Sequence, residues 1–216
     1  MERTKDNNTY DTVTNESESE SIQIARLNVS ESNPTGDSQI GEAKTVPFTT
    51  PGHDGVPGGT EFTYLQIKDN NVADQFFEFA ANNTKVEFGQ DRFSFSDGYS
   101  TNIIGTNHST NENANSINVL NFTDISEPGS SSRHFINNAT QEERVHSHPP
   151  GSEWAPSGFN AYRDRKTGKV ITETGLNAGD RKNYDNRIKN MYQYTPGVGY
   201  FRYNNKTATH TGNKKN

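Results

Sequence analysis

Only one segment of the chain sets metal-ligand side chains at close, regular spacing: Val145-His146-Ser147-His148-Pro149. Along an extended strand, residues two apart project from the same face. His146 and His148 then stand side by side with their backbones roughly 6.5 to 7 Å apart, and two such imidazoles can share one metal ion. Pro149 lacks an amide hydrogen and ends a strand ladder, which places His148 at the strand's end, where a sheet opens into a crevice. The chain has no cysteine, so a further ligand is a carboxylate or another histidine. A hydrolytic zinc site needs three protein ligands and one open position. Taken alone, a His-x-His pair among six histidines (His53, His108, His134, His146, His148 and His210) is equally at home in packing or on the surface.

The elements that must hold these residues are readable as periodicities. Val72, Phe76, Phe79 and Ala80, with Ala73 and Phe77, recur at helical spacing within Asp69 to Asn83 and predict an amphipathic helix. Lys85 to Phe95 alternates with period two, which predicts a strand with Val86 and Phe88 inward and Glu87 on the other face. Further strands are expected at Asn102–Gly105, Ile117–Phe122 and Arg144–His148. After these come a hairpin around Lys166-Thr167-Gly168, a helix from about Asp180 to Tyr192, and a closing hairpin of Gly199–Tyr203 with Thr207–Thr211 turning at Asn204-Asn205. The fold class predicted is mixed α+β: a mixed sheet packed against two or so helices.

Residues 1–60 are rich in Asn, Thr, Ser, Glu, Pro and Gly and carry the acidic alternation Glu16, Glu18, Glu20. They read as a disordered or linker arm, with one short strand near Ile22 to Val29, ahead of a domain over 61–216. Such a start is expected of a C-terminal module on a longer polypeptide. Leu, Ile, Val and Phe total 37 of 216 residues, too few for a large core. The absence of cysteine excludes a disulfide framework, thiol catalysis and Cys-ligated zinc. A net charge of -6 argues against nucleic acid as a partner. No apolar run is long enough to span a membrane, and no secretory signal precedes the acidic arm.

The order helix, Val86-Glu87-Phe88-Gly89, His146-Ser147-His148-Pro149 and later Asp180 resembles the JAB/MPN (JAMM-motif) metalloprotease superfamily. More narrowly, it resembles the JAB-like toxin domains of bacterial polymorphic toxins, over about Phe62 to Thr211. The resemblance implies a JAB/MPN-like fold and a zinc-dependent peptidase or isopeptidase. His146 and His148 would be ligands, and Glu87 would be the acid/base that moves the proton of the attacking water to the leaving amine. The position where the family has its Asp ligand is occupied by Asn160, three residues after Ser157. The third ligand is therefore assigned to Asp180, before a helical pattern, with Asp164 as runner-up. Ser157 is assigned as oxyanion donor, although the equivalent spacing from Asp180 falls on Asn177. Trp154, the only tryptophan, can line a substrate groove or simply pack.

The resemblance further implies a protein or peptide substrate, a cognate immunity protein as partner, and an effector delivered into a target cell. Two other functions stay open at this stage. One is a catalytically inactive JAB-like binding module, consistent with Asn160. The other is a metal-dependent phosphoesterase, which would need additional His and Asp ligands.

Overall fold

Asp69 opens the principal helix, α1 (Asn70–Asn83): its Oδ1 accepts from the Val72 amide at 2.9 Å, satisfying one of the donors a helix start leaves unpaired. Ala73, Phe76, Phe77, Ala80 and Ala81 then fall on one buried stripe. Asn82-Asn83 ends the helix, and Thr84 is already extended. The structure, a computed structural model, describes residues 43–47, 61–108, 124–127, 131–135 and 138–215. It also describes the backbone of four antiparallel strands, β1 (Glu2–Lys5), β2 (Asn8–Val13), β3 (Ile24–Asn28) and β4 (Ser38–Gln39), which pair in that order. The expected strand near Ile22 to Val29 corresponds to β3. The remainder of the proposed arm and the expected strand Ile117–Phe122 lie outside the described residues.

The helix packs on an eight-stranded sheet. Its members are β5 (Lys44–Pro47), β6 (Glu61–Ile67), β7 (Gly89–Phe95), β8 (Ser100–Thr106), β11 (Ala139–Ser147), β14 (Asn190–Thr195), β15 (Gly199–Tyr203) and β16 (Ala208–Gly212). Two short strands, β9 (Asp124–Ser126) and β10 (Arg133–Phe135), precede β11 and pair with each other. The order across the large sheet is β16-β15-β14-β11-β7-β8-β6-β5. Every pairing in it is antiparallel except β11 with β14. β5 enters this sheet from the segment read as arm. Among the described residues the fold is a mixed sheet with two helices, an α+β arrangement.

One sheet face, carrying Leu65, Ile67, Ile104, Val145, Tyr192, Tyr194 and Tyr200, buries against the apolar stripe of α1. Two phenols fasten helix to sheet: Tyr200 donates to Glu78 at 3.0 Å, and Asn82 donates to Tyr194 at 3.1 Å. Phe77, fully buried in this layer, alone accounts for about 1.5 to 3 kcal/mol of transfer free energy. The opposite face carries Met191, Phe201, Tyr203 and Ala208. It is covered by an outlying hairpin of β12 (Phe159–Arg163) and β13 (Val170–Thr174), which forms a two-stranded sheet of its own. That hairpin and the closing hairpin β15–β16 stand where the sequence predicts them.

Two expectations need correction. The helix expected from Asp180 to Tyr192 is one turn only, α2 (Gly179–Lys182), after which the chain returns to the sheet as β14. Asp185 ends any helical continuation. Its carboxylate accepts from the Arg187 amide at 3.0 Å and its carbonyl from the Ile188 amide at 3.2 Å, a local turn that competes with helix hydrogen bonding. Met191 to Thr195 then gain more by pairing with β11 and β15 inside the sheet. The strand expected from Lys85 begins only at Gly89. Across from Phe88, a side-chain hydroxyl takes the place of the ladder carbonyl: the Phe88 amide donates to Ser147 Oγ at 2.9 Å.

Candidate metal centre

β11 delivers His146 and His148 to the sheet face opposite α1. His146 stands opposite Gly89 on β7 and Gln193 on β14. His148 lies one residue beyond the strand, held there by its amide, which donates to the Tyr194 carbonyl at 2.9 Å. The two rings lie 5.2 Å apart between centroids and both are buried. Tyr203 meets the His146 ring edge-on at 6.2 Å. His148 Nδ1 donates to the Glu153 carbonyl at 2.9 Å, which leaves Nε2 as the nitrogen facing the site.

Asp180 arrives on α2, which follows the β12–β13 hairpin in the chain. Its Oδ2 lies 3.2 Å from His146 Nε2 and 3.8 Å from His148 Nε2. The Ser157 amide donates to that same oxygen at 2.8 Å, while the Ser157 carbonyl accepts from the Arg181 amide at 3.0 Å. The two backbones interlock through glycine. A Cβ on Gly179, at φ +51°, would come within 2.3 Å of Ser157 Cβ, and one on Gly158, at φ +94°, within 2.6 Å of the Ala178 carbonyl oxygen. Arg181 adds a clamp, donating to the Gly175 carbonyl at 2.8 Å and to the Asn205 carbonyl at 3.0 Å.

Burial alone would push the Asp180 carboxyl upward. The charges and hydrogen bonds of His146 and His148 outweigh it and hold the group far below the usual carboxylate range. Burial likewise pushes His148 down, but its hydrogen bond with Asp180, the charge of Glu87 and the Glu153 carbonyl outweigh it and raise it. Glu87, itself buried, is one of the charges that raise His148. Its neighbour is tied to the His-bearing strand at two points, because the Ser147 amide also donates to the Phe88 carbonyl at 2.8 Å. Ser147→Ala would leave the buried Phe88 amide unpaired, costing about 1 to 3 kcal/mol. The melting temperature should fall by several degrees while metal content is unchanged; an unaltered melt would refute this role.

Of the residues singled out by sequence, His146, His148 and Asp180 come together, with one ligand atom from each within 4.8 Å of the others. Glu87 is buried and its charge acts on His148, and Ser157 touches Asp180 through its main chain. Asp164 is elsewhere: its carboxylate accepts from the Lys166 and Thr167 amides in the β12–β13 turn. Asn160 lies exposed on β12 opposite Glu173. Three residues of the site carry no advance signal in the sequence: Glu153, which acts through its carbonyl, Ser147, and the ring of Tyr203. Among the described residues no second group of this kind occurs. His108, His134 and His210 pair instead with Thr63, Asp97 and the Val198 carbonyl.

Two imidazoles and one carboxylate are the donor set of a hydrolytic zinc site, and ligands around tetrahedral zinc stand about 3.3 Å apart, close to the spacings here. The residues therefore fit a zinc ion. The sequence model of the family described as JAB-like toxin 1 matches residues 65–184, more than half of the chain. The chain belongs to that family, and it carries a JAB-like toxin domain with a His-His-Asp group able to hold a metal. No curated protein and no solved structure matches it. No helix among the described residues is long and apolar enough to cross a membrane.

Proposed function

We propose that the domain is a zinc-dependent peptidase or isopeptidase of the JAMM type, acting as a toxin effector inside a target cell. The convergence of His146, His148 and Asp180 carries the proposal. His146, His148 and Asp180 hold the metal. Bound zinc supplies Lewis-acid polarisation of an amide carbonyl and lowers the pKa of water. Glu87, buried and acting on His148 through its charge, takes a proton from the attacking water and passes it to the leaving amine. The Ser157 hydroxyl donates to the oxyanion, while its backbone amide orients Asp180. The JAB/MPN fold, the division into an arm over 1–60 and a toxin domain over 61–216, and a cognate immunity protein in the producing cell belong to the same reading.

The test is elemental analysis of the purified chain together with zinc titration of the metal-free protein. About one zinc per chain is expected; a protein that takes up none overturns the proposal.

A further inference from the structure

Beside the triad lies an open groove of about 460 Å³ whose lining includes Glu153, Trp154, Phe159, Ala161, Tyr162 and Arg163. We propose that it binds an extended segment of the polypeptide substrate as a third strand on β12. The inference rests on the reading of the triad as a hydrolytic centre, and three features of the groove carry it.

The first is a free strand edge. Antiparallel pairs alternate between bonded and non-bonded partners. The Asp164 amide donates to the Lys169 carbonyl at 2.8 Å and the Gly175 amide to the Gly158 carbonyl at 3.0 Å. Tyr162 with Ile171 and Asn160 with Glu173 are then the bonded pairs, and the amides and carbonyls of Ala161 and Arg163 point away from β13. Among the described residues, β12 pairs with no strand other than β13. An unpaired edge with its donors and acceptors in line accepts a peptide main chain.

The second is continuity with the metal centre. β12 begins two residues after Ser157, whose amide holds Asp180, and the groove's other wall begins at Glu153, whose carbonyl holds His148. A chain laid along five residues of β12, about 17 Å, has one end delivered to the triad. The third is an apolar wall. Trp154 and Tyr162 are both exposed, and the Arg163 guanidinium lies over the indole at 5.9 Å. The groove therefore suits an extended segment with an apolar side chain against Trp154.

Trp154 is the only tryptophan, so its emission reports occupancy directly. The probe is a decapeptide of alternating threonine and leucine with lysine at both ends, compared with a twin N-methylated at alternate backbone nitrogens. Each is titrated into the full chain, metal-free and zinc-loaded. A saturable shift with the parent peptide, at least tenfold weaker with the twin, supports strand addition. No shift at millimolar peptide, or equal affinity for the two, overturns it. Zinc uptake separates this from the hydrolase reading. A chain that takes up no zinc yet shows the shift keeps the groove and loses the hydrolase; one that takes up zinc without a shift does the reverse.

Discussion

Asp180→Ala is expected to abolish stoichiometric zinc binding, and Asp164→Ala to leave it intact. The contrast follows from where the two carboxylates are held. Asp180 Oδ2 sits 3.2 Å from His146 Nε2, is fixed by the Ser157 amide, and rides on a one-turn helix locked by Gly158, Gly179 and Arg181. Asp164 spends its acceptors on the amides of its own turn. Loss of a mere outer partner typically costs 10- to 100-fold in metal affinity, and loss of one of three ligands costs more. Asp180→Ala should therefore weaken zinc by about 100-fold or more, as should the double change His146→Ala/His148→Ala. Asp164→Ala should loosen only the β12–β13 turn. The measurement is zinc per chain by elemental analysis, with circular dichroism to establish folding. Zinc retained in folded Asp180→Ala, or lost in Asp164→Ala, would move the ligand and refute the assignment.

What could be read in advance follows a physical line between local and distant causes. α1 was legible because its cap at Asp69 and its apolar stripe lie within one short segment. The hairpins were legible because Gly168 and Asn204 mark their turns; Asn204 Oδ1 accepts from the Lys206 and Thr207 amides. The His-x-His pair was legible because a strand fixes which side chains share a face. Residues 183–192 misled because Tyr184, Ile188, Met191 and Tyr192 fall at spacings of three and four. Yet Met191 and Tyr192 bury on opposite sheet faces, in different cores, by pairing with a strand nearly fifty residues earlier in the chain. No local pattern reports a parallel pairing of that separation. The start of β7 was misplaced for a similar reason, since the hydroxyl that intercepts the ladder belongs to Ser147. Of the site, the side chains that can ligate a metal were visible as residue types. The main-chain groups that aim them, the Glu153 carbonyl and the Ser157 amide, have no signature in residue identity.

Glu87→Gln should leave zinc at about one per chain and lower kcat for amide cleavage by about 10²- to 10⁴-fold. The substitution keeps size and shape and removes only the capacity to take a proton, and general acid–base catalysis contributes about that factor. Glu87 is not among the three residues that share ligand distance, so metal content is the control. It is buried, and its segment is pinned through Phe88 to Ser147 at 2.9 and 2.8 Å, so a neutral isostere is held where the carboxylate was. Removing the Glu87 charge also removes one of the influences that raise His148, which makes the imidazole easier to deprotonate. Because a metal ligand must be deprotonated, zinc binding in the variant should persist to slightly lower pH. A carboxylate with a purely structural role would act differently, by lowering stability and zinc content together while any residual activity per bound zinc stayed constant. The decisive comparison is therefore kcat per bound zinc: a fall of two or more orders of magnitude establishes Glu87 as the proton carrier, and an unchanged value removes it from the reaction.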